Sequence, residues 1–557
     1  MITQKGIRHD DTLTKQVMGA HPIIQRFIET LKIPEIIGTY IPQDQRLKLS
    51  VEQTLVVLIH NILSSPMPLY EIADWLAPLH EHSLGLNAAE VPLIHDDRLG
   101  QALEAFYRGR HKDVFFRLAL RAIKLFELDC SRIHQDTTTV TFSGKYAGWT
   151  AREFLTYGKN KDHRPDLKQL VLGLSVCADG AVPLTHTIYD GNQTDDRLHP
   201  ANHQRLRQLL GQSDFIYVAD CKLATADNLR KITACGGRFV TVMPRTWKED
   251  KSFRAHVREG RVAWTALLTR KNNRNPDSKK DRYSLAQGSY DAGGHSLLWI
   301  KSTQKAEQDA ETRTRHIDKA LEDLRLLQTR LNTYHLKTRR NIQKKVREIL
   351  NTHLCAPWVA VQLHSQRIYK KHYGRPGRPI DHQAVQLTWT PTFSITFSMN
   401  QDALQKEALT DGVFPLIHNL GKEVKPKRIL EIYKFQPFLE KRHSQLKTWQ
   451  EVTPVLLKKD ERVVAFLHMH VMALMVSTLI ERKLRQAMKQ HSIESLPLYP
   501  EGKPCPYPTM FDLVRLFTGV EKYEVHKRED LIVFPATLSS LQRQVLQLLE
   551  VPISSYQ

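Results

Sequence analysis

Two aspartates stand in strand-like segments where their carboxylates could together bind a metal ion. Asp136 lies within the β-branched run of residues 133–142, and Asp220 ends the short apolar run of residues 215–220. Adjacent strands would bring the two carboxylates together, and like charges that close repel unless a cation lies between them. Hard oxygen ligands favour Mg²⁺ or Mn²⁺ over zinc. A lone aspartate in such a place more often caps a turn, so the hypothesis requires a third ligand.

Glu440 is the candidate for that third carboxylate. The residues Tyr433, Gln436, Glu440 and Lys447 follow one another at offsets of 0, 3, 7 and 14, which lie close to one face of a single helix. An amphipathic helix with a snorkelling lysine would show the same spacing. Pro437 disfavours helix at the residue before it, so the helix that carries Glu440 is expected to begin or kink near Pro437, with Glu440 in its first turn.

The pattern of residues 129–245 predicts the sheet that would position Asp136 and Asp220. Three apolar or β-branched runs, separated by turn residues such as Asp-Gly, are followed by alternating strand and helix patterns. This is the element order of an RNase H-like α/β layer. We therefore predict an α/β fold with an RNase H-like catalytic core, a helical N-terminal region and a mixed α/β insertion domain.

The insertion is expected because 220 residues separate Asp220 from Glu440, which is too many for such a core alone. A breaker-free stretch from about 306 to 350 predicts a helical hairpin or coiled coil within the insertion. The N-terminal helices suit a DNA-binding head and a generic helical subdomain equally. The predicted boundaries are 1–128 for the helical N-terminal region, 129–245 for the first part of the core, 246–427 for the insertion, 428–490 for the second part of the core with the glutamate helix, and 491–557 for a C-terminal region.

Composition excludes several classes of protein. The chain has 557 residues, with 80 Lys and Arg against 59 Asp and Glu, a net charge of +21 and an ordinary 41% of hydrophobic residues. A folded protein this basic most often binds a polyanion, nucleic acid before a membrane surface. None of the six cysteines forms a C-x-x-C pair, which fits a reducing cytosol and gives no zinc motif. The apolar stretch at 463–480 predicts a buried core helix, and no signal peptide is expected.

The spacing around Glu440 resembles the Y-(2)-R-(3)-E-(6)-K signature of bacterial insertion-sequence DDE transposases, in the branch with a long insertion domain before the catalytic glutamate. Three of the four positions match, and Gln436 stands where that family has arginine. Glutamine can hydrogen-bond a phosphate but lacks the charge and the fork of a guanidinium. The stretches at 157–169, 191–195 and 411–419 are similar to the same family.

This resemblance implies a DDE triad of Asp136, Asp220 and Glu440 that holds two Mg²⁺ ions, with Mn²⁺ as a substitute. Two such ions can activate the attacking hydroxyl and stabilise the leaving oxygen without a protein base. The DNA contacts implied by the motif are Tyr433, Gln436 and Lys447. A transposase of this kind would bind the terminal inverted repeats of an insertion sequence, cleave those ends and join them to target duplex DNA. It would act as a homodimer or larger assembly in the bacterial cytoplasm, at the nucleoid, with no membrane partner.

Two alternatives remain open. A domesticated or inactive DNA-binding protein would have the same fold, and so would another RNase H-like metal nuclease. The nearest substitutes for a wrongly chosen acid are Asp214, Asp227, Glu423 and Glu431.

Basic residues outside the triad predict a DNA footprint. Arg375 and Arg378 lie in Gly-Arg-Pro steps that resemble minor-groove arms, although a surface hairpin loop has the same composition. Lys345 belongs to the basic stretch at 337–347, which would follow phosphates or simply face solvent. Arg164 lies between the first two predicted strands, and this position predicts a role beside the scissile phosphate. The aromatic candidates, for which a buried core position is favoured, are Trp264, Trp299, Trp358 and Trp389.

Overall fold

The computed structural model describes most of the chain. The described residues are 12–42, 47–142, 155–158, 164, 166–193, 197–270, 280–373, 385–450, 452, 457, 459–526 and 531–557. The chain divides into two compact units. The first unit comprises Met1–Thr241, Asn419–Lys422 and Arg428–Gln557, and the second comprises Val242–His418 and Glu423–Lys427.

The first unit begins with a helical region. Its elements are β1 (Thr12–Val17), α1 (His21–Leu31), α2 (Ile33–Tyr40), α3 (Val51–Ser64), α4 (Ile72–Leu76), α5 (Asp96–Arg108) and α6 (His111–Leu125), with short 3₁₀ turns at Leu69–Glu71, Glu81–Leu84 and Val91–Leu93. Ser50 caps α3 by accepting a hydrogen bond from the Gln53 amide, and most side chains of α3 are buried. The helical N-terminal region of the predicted fold class is therefore confirmed.

An RNase H-like layer follows in the same unit. Its elements are β2 (Arg132–Phe142), β3 (Lys168–Cys177), β4 (Pro183–Asp190), α7 (His199–Leu210), β5 (Ile216–Val218), α8 (Ala226–Ala234) and β6 (Arg238–Val242). The strand order is β4-β3-β2-β5-β6. The β4-β3 and β3-β2 pairs are antiparallel, whereas β2-β5 and β5-β6 are parallel. Three meandering strands extended by two parallel crossover strands are the topology of an RNase H-like core, which confirms the predicted fold class.

The second unit has a mixed α/β composition. Its elements are α9 (Lys248–Arg258), β7 (Trp264–Arg270), β8 (Asp281–Ala286), β9 (Tyr290–Ala292), β10 (His295–Ser302), α10 (Thr303–Thr329), α11 (Arg339–Thr352), β11 (Val359–Tyr373), β12 (Val385–Met399), α12 (Gln401–Ala408) and β13 (Val413–His418). The strands β13, β10, β8 and β7 pair antiparallel in that order, and β9 pairs with β10. A mixed α/β insertion was part of the predicted fold class.

A helical hairpin and a two-stranded ribbon form a separate core within the second unit. The helices α10 and α11 pack against β11 and β12 through buried side chains such as Leu324, Ile342 and Ile395. Asn332, in the connection between the helices, donates to the Phe393 carbonyl at 2.9 Å and accepts from its amide at 2.7 Å. The breaker-free stretch thus forms the predicted hairpin rather than one continuous helix.

The chain then returns to the first unit. Its last elements are α13 (Pro426–Tyr433), α14 (Gln436–Ser444), a π-helical turn at Gln445–Trp449, α15 (Asp460–Gln490), α16 (Met510–Phe517), β14 (Glu521–His526), β15 (Leu531–Phe534) and α17 (Ser540–Leu549), with 3₁₀ turns at Pro500–Gly502 and Ile553–Tyr556. A small antiparallel sheet has the order β1-β14-β15. The helix α15 is long and apolar enough to cross a membrane, but its most apolar window is 94% buried. That burial agrees with the predicted core helix.

Candidate active site

The register between β2 and β5 brings Asp136 level with Asp220. The parallel pair matches Arg132 with Ile216 and His134 with Val218, an offset of 84 residues. Asp136 and Asp220 are also 84 residues apart, so they keep the offset of the paired residues, although β5 itself ends at Val218. Matched positions on neighbouring parallel strands face the same side of a sheet. The register therefore predicts that the two carboxylates lie on one face of the core.

Asp220 lies just past the carboxyl end of β5, where open α/β sheets commonly bind ligands. Its backbone carbonyl accepts a hydrogen bond from the Thr241 hydroxyl at 2.6 Å, and its carboxylate accepts one from the Lys222 amide at 3.0 Å. Asp136 is held in the middle of β2, opposite Leu174 of β3. The backbone at each aspartate is thus held in place by a hydrogen bond or by pairing with a neighbouring strand.

Two side chains of α14 attach this helix to β2. The Gln436 amide donates to the Gln135 carbonyl at 3.3 Å, and its oxygen accepts from Nδ1 of His134 at 3.0 Å. About two turns later, Nδ1 of His443 lies 3.7 Å from Oδ2 of Asp136. Glu440 lies between the two contacts in sequence and shares their helical face. The helix therefore presents Glu440 toward the side of the sheet that carries Asp136.

The opposite side of α14 is fixed as well. Arg442 is buried and makes a 2.7 Å ion pair with Glu481 of α15, and it donates to the Gly180 carbonyl at 2.8 Å. Removing one partner from such a buried pair leaves an uncompensated charge, which costs several kcal/mol. This helix therefore has little freedom to move away from the sheet.

Tyr433 lies within electrostatic range of all three acids. Burial raises the pKa of its hydroxyl, and the carboxylates of Asp220, Glu440 and Asp136 raise it further, together with the Cys221 thiol. Each of these acids is thus near enough to this phenol to destabilise its anion. The side chain of Glu440 itself is exposed.

The donor set fits a hard divalent cation. Three carboxylates supply oxygen ligands alone, the kind that Mg²⁺ and Mn²⁺ prefer, and their mutual repulsion is relieved by a bound cation. Among the described residues, the group of three whose ligand atoms all lie within 4.8 Å is His95, Asp96 and Asp97, exposed at the start of α5. The acids of the candidate site are spaced more widely than that group.

The predicted helix boundary is confirmed, whereas the predicted single helical face is wrong. The helix α14 begins at Gln436, with Pro437 in its first turn, and two residues of turn separate it from α13. Glu440 is the fifth residue of α14, just beyond its first turn. Tyr433 therefore belongs to α13, and Lys447 lies half-buried in the π-helical turn that follows. The four motif residues are distributed over three elements because of these two breaks.

Gln436 has an internal role where the sequence predicted a DNA contact. Its side chain is buried, and both of its polar atoms are hydrogen-bonded to β2. An arginine would place a charge in this buried space. Gln436, the residue that departs from the signature, therefore joins α14, which carries Glu440, to β2, which carries Asp136.

Gln436→Ala is expected to lower the free energy of unfolding by about 1–3 kcal/mol, because the buried His134 nitrogen loses its hydrogen-bond partner. Gln436→Arg, the change that restores the signature, is expected to destabilise the protein at least as much. Chemical denaturation measures both effects, and Ser444→Ala, at an exposed position of the same helix, serves as the matched control. Wild-type stability in Gln436→Ala would show that this attachment is dispensable.

The basic candidates remain on the surface. Arg164 is exposed and makes a bidentate ion pair with Asp166 at 2.9 and 2.7 Å. Lys345 projects from α11 and pairs with Glu348 at 3.1 Å, and exposed pairs of this kind contribute little stability. Their roles in DNA binding stay predictions. Arg375 and Arg378 lie outside the described residues.

The tryptophan candidates divide between core and surface. Trp299 is fully buried and stacks on Phe253 with ring centroids 3.9 Å apart, as favoured from the sequence. Trp264 and Trp358 are partly buried. Trp389 is 50% exposed, so the core position favoured for it is wrong.

His443 is a site residue that the sequence reasoning missed. The signal that could have found it is the spacing Glu440-x-x-His443, because residues three apart share a helical face. Its ring lies 3.7 Å from the carboxylate of Asp136, on the same helix that carries Glu440.

Comparisons with known proteins give two findings and one negative result. Residues 14–120, the helical region at the start of the first unit, match a family described as a domain of unknown function, DUF4277. A cryo-EM structure of a piggyBac transposase synaptic complex with hairpin DNA is similar to this chain, with a TM-score of 0.37 and 9% sequence identity. That similarity covers 91% of this chain and 81% of the other. No curated protein matches the chain at a significant level.

Proposed function

We propose that the chain is a DDE transposase of the bacterial insertion-sequence type. It binds the terminal inverted repeats of its element, cleaves the DNA strands there in a metal-dependent reaction, and joins them to target DNA. The observation that carries this proposal is the matched offset of Asp136 and Asp220 on an RNase H-like core, with the helix of Glu440 held against β2. The effect of all three acids on Tyr433 supports it.

The three carboxylates would hold two Mg²⁺ ions, and such ions would make the attacking hydroxyl more acidic and stabilise charge on the leaving oxygen. The phenol of Tyr433, whose pKa is raised further above neutrality, can donate a hydrogen bond and is not available as a base. His443 and Gln436 orient the helix of Glu440 against β2. These contacts fix the relative positions of the acids before DNA binds, which limits the reorganisation needed for reaction.

The basic charge of the chain supports DNA as the partner. A net charge of +21 on a folded protein gives phosphate contacts whose affinity falls with salt. Two transposon ends must be brought together, so the proposal includes a homodimer or larger assembly on DNA. It places the protein in the cytoplasm, at the nucleoid when bound.

Cleavage of the ends of the element that encodes the chain tests the proposal. Mg²⁺ and Mn²⁺ are expected to support strand cleavage and joining. Ca²⁺ is expected to support binding without turnover, and EDTA is expected to abolish cleavage. Strand cleavage that persists in EDTA would exclude this chemistry. Binding without cleavage in any metal would indicate an inactive DNA-binding protein, and cleavage without preference for the terminal repeats would indicate another metal nuclease.

A further inference from the structure

The small sheet of the first unit, with the order β1-β14-β15, has a charged side that is mostly buried. Lys522 and Glu524 lie on the same side of β14, because alternate residues of a strand share a face. Their side chains are only 11% and 15% exposed, and they form an ion pair at 3.0 Å. Nζ of Lys522 also lies 3.4 Å from Nε2 of His80, in the N-terminal helical region. The charged side of this sheet therefore faces the rest of its own unit.

The apolar side chains of the same sheet lie on the opposite side and are exposed. Tyr523 of β14 is matched with Phe534 of β15. Val525, which is buried, lies between Leu13 of β1 and Ile532 of β15, and the other four residues of this group are exposed. A sheet with one solvated side normally turns its apolar side to the core. The reversed arrangement is typical of a surface that a partner covers.

The strand β15 is exposed on both of its sides. Its four residues are Leu531, Ile532, Val533 and Phe534, and they are between 39% and 54% exposed. This strand lies at the edge of the sheet, and in the described part of the chain its strand partner is β14. Edge strands are usually protected by charged side chains, prolines or bulges. The sequence of β15 contains no charge and no proline, so its outer edge can pair with a further strand.

Charge decides which partner fits this surface. Among the described residues of the apolar side, the charges are those of Lys15 and Glu521, and these two side chains pair with each other at 2.7 Å. Phosphate contacts need cations, so a sheet whose lysines are paired suits DNA poorly. Two chains that each carry a net charge of +21 repel each other least where their surfaces are neutral and apolar. The surface therefore fits a second copy of the chain.

We propose that β15 pairs antiparallel with β15 of a second copy, which joins the two small sheets into one. A two-fold axis perpendicular to the sheet produces this arrangement from identical strands. Residues matched across paired strands face the same side, so either Ile532 or Val533 lies opposite its own counterpart. In both registers, apolar side chains of one copy contact apolar side chains of the other.

This inference rests on the proposed function for its choice of a second copy, because two transposon ends must be brought together. It adds to that function the surface through which the chains associate. A pairing of four-residue strands is smaller than the interface of a stable dimer. We therefore expect an equilibrium between monomer and dimer rather than a permanent dimer.

Disulfide cross-linking of the full chain tests the proposal. Matched residues of antiparallel strands have Cα atoms about 4.5–5.5 Å apart, a separation that a disulfide bond spans. Oxidation with copper phenanthroline is expected to give a covalent dimer of Ile532→Cys or of Val533→Cys, whichever residue lies on the axis. Its yield should be about fivefold or more above that of the control. Leu326→Cys, exposed on α10, is the matched control, and it also corrects for the exposed native Cys235.

A charge in β15 provides a second measurement. Ile532→Lys is expected to weaken self-association about tenfold or more in sedimentation, because each copy brings a like charge to the pairing. Ile532 is exposed, so the free energy of unfolding should change little. Leu326→Lys, which places the same charge on α10, should associate like the wild type.

Three outcomes would overturn the inference. A chain that sediments as a monomer at every concentration, alone and with DNA, makes no such contact. Dimers that persist in Ile532→Lys and do not cross-link through either cysteine are joined elsewhere. Weaker DNA binding by Ile532→Lys, at unchanged self-association, would assign the surface to DNA. Cross-linked dimers of a chain that never cleaves with Mg²⁺ would defeat only the proposed function, whereas cleavage of the ends by a chain that does not cross-link would defeat only this inference.

Discussion

Asp136→Asn, Asp220→Asn and Glu440→Gln are each expected to lower Mg²⁺-dependent strand cleavage by about a thousandfold or more, because each removes one charged oxygen ligand while keeping the shape of the side chain. A variant that combines two of these changes should lose little more activity than either single variant, because the acids act as one unit. Cleavage assays on the ends of the element measure the effect. Binding of the same DNA in Ca²⁺ should stay within a few-fold of the wild type, because binding depends on phosphate contacts elsewhere on the protein.

Asp227→Asn provides the matched control. Asp227 lies on the surface of α8 and pairs with Arg230 at 2.7 Å and Lys231 at 2.6 Å, so its loss should leave cleavage unchanged. Wild-type cleavage in any of the three triad variants would mean that the acid was wrongly chosen. The remaining substitutes would then be Asp214, Glu423 and Glu431. Loss of DNA binding together with cleavage would instead indicate damage to the fold.

The free energy of unfolding is expected to fall steeply between pH 6.5 and pH 4. Burial lowers the pKa of His21 and His134 to about 4 and that of His186 and His470 to about 3. The unfolded chain binds a proton at each imidazole near pH 6.5, whereas the native state stays neutral until much lower pH. Each site therefore destabilises the fold by about 1.4 kcal/mol per pH unit across this window. Chemical denaturation at several pH values in this range measures how the free energy of unfolding changes with pH.

His470→Leu isolates one of these protons. Both ring nitrogens of His470 are buried in α15 without a hydrogen-bond partner in the described part of the chain. The variant should match or exceed wild-type stability at neutral pH and exceed it by about 2 kcal/mol at pH 5, because the unfolded state gains one proton fewer. His526→Leu, at an exposed histidine, serves as the matched control. If the free energy of unfolding of His470→Leu changed with pH as it does in the wild type, the buried imidazole would not be a source of the pH dependence.

The sequence was sufficient for the fold class and for the start of the glutamate helix. The spacing of apolar residues and the turn residues between them predicted the three meandering strands and the two crossover strands. Pro437 predicted the start of the helix, because its ring disfavours helix at the preceding residue. Whether Asp136 and Asp220 stand at matched positions depends on the register of β2 against β5. Register comes from pairing between distant segments, so the sequence could suggest the meeting of the two acids but could not specify it.

The internal role of Gln436 and the exposure of Trp389 could not be predicted in the same way. Gln436 is polar, and polar residues are usually exposed, but its partner His134 lies 302 positions away in the chain. Trp389 belongs to the same alternating face as the buried Ile395, and only the length of the helical hairpin determines where that face becomes bare. Both outcomes were decided by tertiary packing, which overrides residue preference.

The distance along the chain between Asp136 and Glu440 has a consequence for synthesis. The glutamate is 304 residues beyond the first aspartate, so at about 5–20 residues per second a ribosome needs roughly 15–60 s to supply it. Through that interval the nascent polypeptide carries two acids of the cluster and no α14 to cover His134. Under the proposed function, a prematurely terminated product that ends before α14 would therefore be unable to cleave DNA. The metal site would be complete only after nearly four-fifths of the chain has been translated.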